Sequence, residues 1–64
     1  MIENGTILFD EASGAYHRID SYGSLQHAYF CTEMELTDDG EFLETDNRGY
    51  WLEEKGVEKM AKNQ

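Results

Sequence analysis

The sequence predicts a small α+β domain that is mainly β, with an antiparallel sheet of about five strands and a C-terminal helix. Three observations support this class. Short apolar stretches are separated by turn signals rich in Gly, Asp and Ser. Residues 29–37 alternate between apolar and polar side chains, as an extended chain requires. The C-terminal segment has acids at its start and lysines near its end, which matches the helix dipole.

The first predicted element is a β-hairpin in residues 5–20. The apolar residues 6–9 run into a turn at residues 10–14, and the chain resumes with residues 15–19. Gly14 tolerates a positive φ, and the side chains of Asp10 and Ser13 accept hydrogen bonds from turn amides. The following residues, 21–28, combine turn formers with weak periodicity, so a loop and a short helical turn both remain open.

A three-stranded meander is predicted for residues 29–52. In residues 29–37 one side is apolar and the other is largely polar; the first side carries Phe30, Thr32, Met34 and Leu36, and the second carries Tyr29, Cys31, Glu33, Glu35 and Thr37. The Asp-Asp-Gly run at 38–40 predicts a hairpin turn. Residues 41–45 would return, residues 46–49 would turn again, and the aromatic residues 50–52 would form the last strand.

Residues 53–62 are predicted to form the helix, with Val57 and Met60 toward the sheet. Gly56 weakens such a helix by about 1 kcal/mol relative to alanine. We therefore expect docking on the sheet to stabilise it.

Size and composition limit the possible functions. The 64 residues predict a single small acidic domain, 1–64, without a large enclosed active site. Cys31 is the only cysteine, so no internal disulfide is available. We find neither an apolar run of membrane-spanning length nor a secretory leader, and we expect a cytoplasmic protein with no membrane partner.

Charge is the most distinctive property of the chain. The net charge of -9 disfavours direct binding to nucleic acid and favours a basic protein partner, such as a nucleic-acid-binding effector. Residues 33–54 hold nine acids and one arginine, a local charge of -8. In a strand, Glu33 and Glu35 would lie on one face about 6 to 7 Å apart. The alternative is that these acids serve only solubility.

The predicted partner-binding residues follow from this cluster. They are Glu33, Glu35, Asp38, Asp39, Glu41, Glu44 and Asp46, with Tyr50 or Trp51 as aromatic anchors. The aromatic residues could equally complete a small core, because each ring buries a large area.

No catalytic, metal or cofactor site is predicted. Cys31 and His27 would meet only if their segment were helical, and no third group orients them. The acidic turns do not match a calcium loop, and there is no phosphate-binding, dinucleotide-binding or nucleophile-elbow motif. We therefore expect a protein that is not an enzyme.

The spacing of five short motifs resembles a family of short, uncharacterised proteins of Gram-positive bacteria, their phages and plasmids. These motifs are residues 5–10, 13–16, 22–25, 39–42 and 49–52. The resemblance implies an SH3-like barrel or a strongly bent sheet, and it implies no activity. Residues 42–56 separately resemble the wing and following helix of a winged-helix protein. The region where such a protein carries its basic recognition helix here alternates like a strand and is acidic.

In size and charge the chain is similar to acidic anti-CRISPR and other DNA-mimic inhibitors. Our leading hypothesis is an acidic module that occupies a basic nucleic-acid-binding surface of its partner and inhibits it. Two alternatives remain: a structural or assembly subunit whose apolar sheet face is completed in a homodimer, and a degenerate winged-helix regulator.

Overall fold

A computed structural model describes all of residues 1–64. Its elements are β1 (Ile7–Asp10), β2 (Ala15–Gly23), β3 (Ala28–Leu36), β4 (Phe42–Glu53) and α1 (Glu54–Lys62). The strands pair antiparallel in the order β1-β2-β3-β4 and form an open sheet. The predicted class, α+β and mainly β, is confirmed. The sheet has four strands instead of about five, and the barrel form stays a prediction.

The missing strand is explained by a β-bulge. Residues 46–49, predicted to reverse the chain, lie inside the single long strand β4. The register between β3 and β4 shifts on both sides of Thr32, so β4 accommodates extra residues without turning back. Gly49 takes a φ of 70° there, a conformation that suits glycine.

Residues 21–28, for which a loop and a short helical turn both remained open, form the end of β2, a turn and the start of β3. β2 continues to Gly23, a tight turn occupies residues 24–27, and β3 begins at Ala28. His27 closes this turn with a positive φ of 51°. The segment is therefore a second hairpin connection through a four-residue turn.

The sheet has two faces, which we call inner and outer. The inner face packs against α1 and contributes Leu8, Ile19, Tyr29 and Cys31 to the core. The outer face, which carries Phe30, Thr32, Met34 and Leu36, has no helix over it. The predicted alternation of β3 is correct, but the expected apolar side is the outer one, and the core forms on the side of Tyr29 and Cys31.

Helix α1 confirms the predicted position to within one residue. It contacts both edge strands, β1 and β4, as well as β3. Val57 is fully buried in the core, with Met60 and Ala61 packed beside it. The Glu54 amide donates a hydrogen bond of 3.0 Å to the carbonyl of His27, which ties the start of the helix to the β2–β3 turn.

Substitution of Gly49 by alanine should destabilise the protein. A Cβ at this position would lie 3.0 Å from the ring of Phe30, and its backbone would also be strained by about 1–2 kcal/mol. Gly14 has a similar φ of 75° with open space around it, so Gly14→Ala reports the backbone strain alone. Urea unfolding should show a larger loss for Gly49→Ala. Equal losses would mean that Phe30 does not pack on the bulge.

Candidate functional site

The β3–β4 turn places acidic side chains at one end of the sheet. Asp38, Asp39 and Glu41 are all exposed there. The Thr37 amide bonds the carbonyl of Glu41 at 2.7 Å, and the Glu41 amide bonds Oγ1 of Thr37 at 3.1 Å. Gly40 closes the turn with a φ of 85°. The hairpin therefore holds these carboxylates on a defined backbone.

Glu33 and Glu35 continue this acidic region along the inner face. They lie opposite His17 and Leu43, respectively, in the strand register. Glu35 and Leu43 are exposed, because α1 packs on the other half of the inner face. An open depression of about 430 Å³ is lined by both glutamates. We call Glu33, Glu35, Asp38, Asp39 and Glu41 the acidic hairpin surface.

Two other predicted acids are placed differently. Glu44 lies on the outer face, where its Oε2 accepts a hydrogen bond of 2.8 Å from Arg18 and its Oε1 lies 3.4 Å from Arg48. Its charge is therefore compensated within the chain. Asp46 is exposed in the irregular part of β4. The side-chain Nδ2 of the neighbouring Asn47 donates a 3.0 Å hydrogen bond to Oε1 of Glu33, which orients that carboxylate.

The two predicted anchors lie on opposite faces. Trp51 is exposed on the outer face and packs against Phe30, with ring centroids 4.9 Å apart. Tyr50 lies on the inner face opposite Cys31. Neither ring adjoins the hairpin turn. Tyr50 lies near Glu33, which is opposite its partner His17, whereas Trp51 lies on the other face from the acidic hairpin surface.

A buried polar pair occupies the inner face beside the core. Nδ1 of His17 and the hydroxyl of Tyr50 lie 2.5 Å apart, within hydrogen-bonding distance. His17 Nε2 is buried without a hydrogen-bond partner and lies 3.7 Å from the carboxylate of Asp10. Burial raises the pKa of Tyr50, because the phenolate would be poorly solvated. Tyr50 is thus a structural partner of His17.

A second polar network lies on the outer face around Asp20, at the bulge of β2. Its carboxylate accepts hydrogen bonds of 2.7 Å from both Arg18 Nε and the Thr32 hydroxyl. Partial burial by itself raises the pKa of Asp20, but these two donors outweigh it and hold the pKa below its ordinary value. The network fixes the register of β2 against β3 near the centre of the sheet.

Cys31 lies on a strand and not on a helix, so His27 is not one helical turn away from it. The thiol is fully buried, and burial raises its pKa to about 11. A thiol with so high a pKa holds little of the reactive thiolate at neutral pH. Cys31 acts as a packing residue in the core.

The structure also bears on metal-binding sites and on membrane-spanning segments. No three His, Cys, Asp or Glu side chains are grouped so that they could hold a metal ion. α1 lacks the length and apolar character that crossing a membrane requires.

Comparisons with known proteins were made for the whole chain. No protein-family model, no curated protein and no solved structure matches it. The functional interpretation therefore depends on the surfaces of this structure.

Sequence reasoning missed the two buried polar groups, His17–Tyr50 and Arg18–Asp20–Thr32. The alternation of residues 16–19 does carry a partial signal, because it places His17 and Ile19 on one face and Tyr16 and Arg18 on the other. Their partners come from β3 and β4, up to 33 positions away. No local pattern specifies such pairings.

Replacing Tyr50 by phenylalanine should cost about 1–3 kcal/mol of unfolding free energy, since it leaves His17 Nδ1 without its partner inside the protein. Tyr16→Phe is the matched control, because the Tyr16 ring lies on the outer face and its hydroxyl makes no hydrogen bond. Urea denaturation at pH 7 measures both. A loss for Tyr50→Phe no larger than that of the control would contradict the structural role of the pair.

Substitution of Asp20 by asparagine should reduce stability by about 1–2 kcal/mol at pH 7. Because the pKa of folded Asp20 lies below its ordinary value of 3.8, its contribution is present above about pH 4 and is lost as the pH falls through the folded-state pKa. The penalty should therefore shrink at pH 2.5. Asp38→Asn, at an exposed turn position, should reduce stability at neither pH. A penalty for Asp20→Asn that stays the same at both pH values would refute this linkage.

Proposed function

We propose that the protein is a non-enzymatic binding module whose acidic hairpin surface docks on a basic protein. The observation that carries the proposal is the concentration of five carboxylates at one end of the sheet, none of which forms an ion pair within the chain. Glu44, by contrast, is compensated by two arginines. The free carboxylates are those that a partner's lysines and arginines can pair with.

Electrostatics favours such a partner at long range. Charges repel one another over distances up to the screening length, which is about 8 Å at physiological ionic strength. The neighbouring carboxylates of the hairpin therefore repel one another. A cationic surface relieves that repulsion on binding and also accelerates association.

Short-range contact is supplied by Leu43, which is exposed beside Glu35. The open depression that Glu33 and Glu35 help to line has room for a long cationic side chain. An apolar contact next to paired carboxylates adds desolvated area to a salt-sensitive interaction. The acidic hairpin surface therefore combines charge attraction with a local packing contact.

The biological consequence we propose is inhibition. A protein surface that binds nucleic acid presents lysines and arginines to phosphates. A carboxylate-bearing hairpin that occupies that surface excludes the nucleic acid, as a DNA mimic does. We place the protein in the cytoplasm, where such partners are accessible, and we expect it not to bind duplex DNA itself.

The experiment starts with the immobilised full chain and a lysate of cells that carry its gene. Proteins captured at 50 mM salt are challenged with a 20-base-pair DNA duplex and identified. We expect the duplex to displace the captured partner, because both ligands use the same cationic surface, and we expect affinity to fall as the salt concentration rises.

A matched pair of charge reversals tests the location of the surface. Asp38→Lys with Asp39→Lys should weaken binding of the identified partner at least tenfold at 0.15 M salt in a calorimetric titration. The control, Glu3→Lys with Glu11→Lys, changes the net charge equally at exposed positions outside the hairpin and should change affinity less than twofold. Equal effects of the two variants would reduce the interaction to net charge and overturn the proposed surface.

A further inference from the structure

We infer that the outer face of the sheet is an interface between two copies of this chain, in which the aromatic side chains of one copy pack on those of the other. This proposal concerns a different surface from the acidic hairpin surface, and it does not depend on the proposed function.

The outer face exposes apolar side chains that no element of the chain covers. Leu36, Phe42 and Trp51 are 44%, 36% and 46% exposed, respectively. Phe42 stacks at its edge on Tyr16, with ring centroids 5.0 Å apart, and Tyr16 in turn lies 4.9 Å from Phe9. An antiparallel sheet with one face on the core normally has polar residues on the other. This sheet instead has an apolar group at each end of its outer face.

The charges between the two apolar groups select the partner. Arg18 and Arg48 both lie opposite Thr32 in the register, one on each side. Asp20 pairs with Arg18, and Glu44 contacts both arginines. These four side chains cancel, so the centre of the face is neutral in a chain whose net charge is -9. A basic protein therefore finds no net attraction there, and a second copy meets no net repulsion.

The arrangement is also self-complementary. When the strands of two copies run in opposite directions, the Phe9–Tyr16–Phe42 group of each copy faces the Phe30–Trp51 group of the other. The two central rows of arginine and carboxylate then face each other, and neither row carries a net charge. The same arrangement places the two acidic hairpin surfaces at opposite ends of the dimer. Glu53 lies at the rim of the interface.

The area is sufficient for a modest dimer. Four strands about 4.8 Å apart and nine residues rising about 3.3 Å each define a face of roughly 19 by 30 Å. Pairing two such faces buries roughly 1,100 Å² in total, near the lower limit for specific interfaces. The product is a two-layered β-sandwich with sheets about 10 Å apart.

Sedimentation equilibrium of the full chain from 1 to 500 µM tests the proposal. We expect a reversible transition from a 7.4 kDa monomer to a dimer. Raising the salt concentration from 0.15 to 0.5 M should tighten the dimer, because it screens repulsion between two acidic chains. Docking through the acidic hairpin surface should respond to salt in the opposite direction. A monomer at every concentration would overturn the inference.

Matched variants locate the interface. Trp51→Lys should raise the dissociation constant at least tenfold, and Leu25→Lys, which changes a 91% exposed apolar residue in the β2–β3 turn, should leave it unchanged. Phe42→Lys is a second disrupting variant, and circular dichroism checks that each variant is folded. Asp38→Lys with Asp39→Lys should still dimerise, and monomeric Trp51→Lys should still bind the captured partner. A folded Trp51→Lys and a folded Phe42→Lys that both dimerise like the unmodified chain would contradict this interface.

Discussion

The packing of α1 on the inner face of the sheet is the interaction on which the rest of the structure depends. The chain has one cysteine and no disulfide, so its stability comes from burying apolar side chains. Val57 supplies the helical contribution to the core and is fully buried among residues from β1, β2 and β3. Because α1 contacts both edge strands, it also links the two edges of the sheet.

A helix of nine residues covers only part of one face, and this limit creates the two surfaces to which we assign functions. The half of the inner face that α1 does not cover carries carboxylates. Their electrostatic interactions extend over about 8 Å before salt screens them. The outer face is left to aromatic rings, which act only at contact. The first surface attracts a partner of opposite charge, and the second fits a copy of itself. The two interactions therefore have opposite dependences on salt.

Irregular strands make these surfaces possible. The bulges at Asp20 and around Thr32 break the simple alternation of the sheet and increase its twist. They also place Arg18, Arg48 and Glu44 close enough to compensate one another in the middle of the outer face. The acids in and beside the β3–β4 turn remain without an ion pair within the chain.

Local sequence determined the first hairpin, the β3–β4 turn at Asp38–Gly40, the helix and the concentration of acids in residues 33–54. These features could be predicted because periodicity, turn chemistry and charge are properties of neighbouring residues. Only the tertiary structure decided the continuity of β4, the side of β3 that forms the core, and the partners of His17 and Asp20. Each of these depends on pairing with a distant strand or on where α1 docks. A turn signal such as that in residues 46–49 favours a chain reversal in a free segment. In a strand that is already paired, the same residues form a bulge. The neighbouring strand therefore determines which of the two occurs.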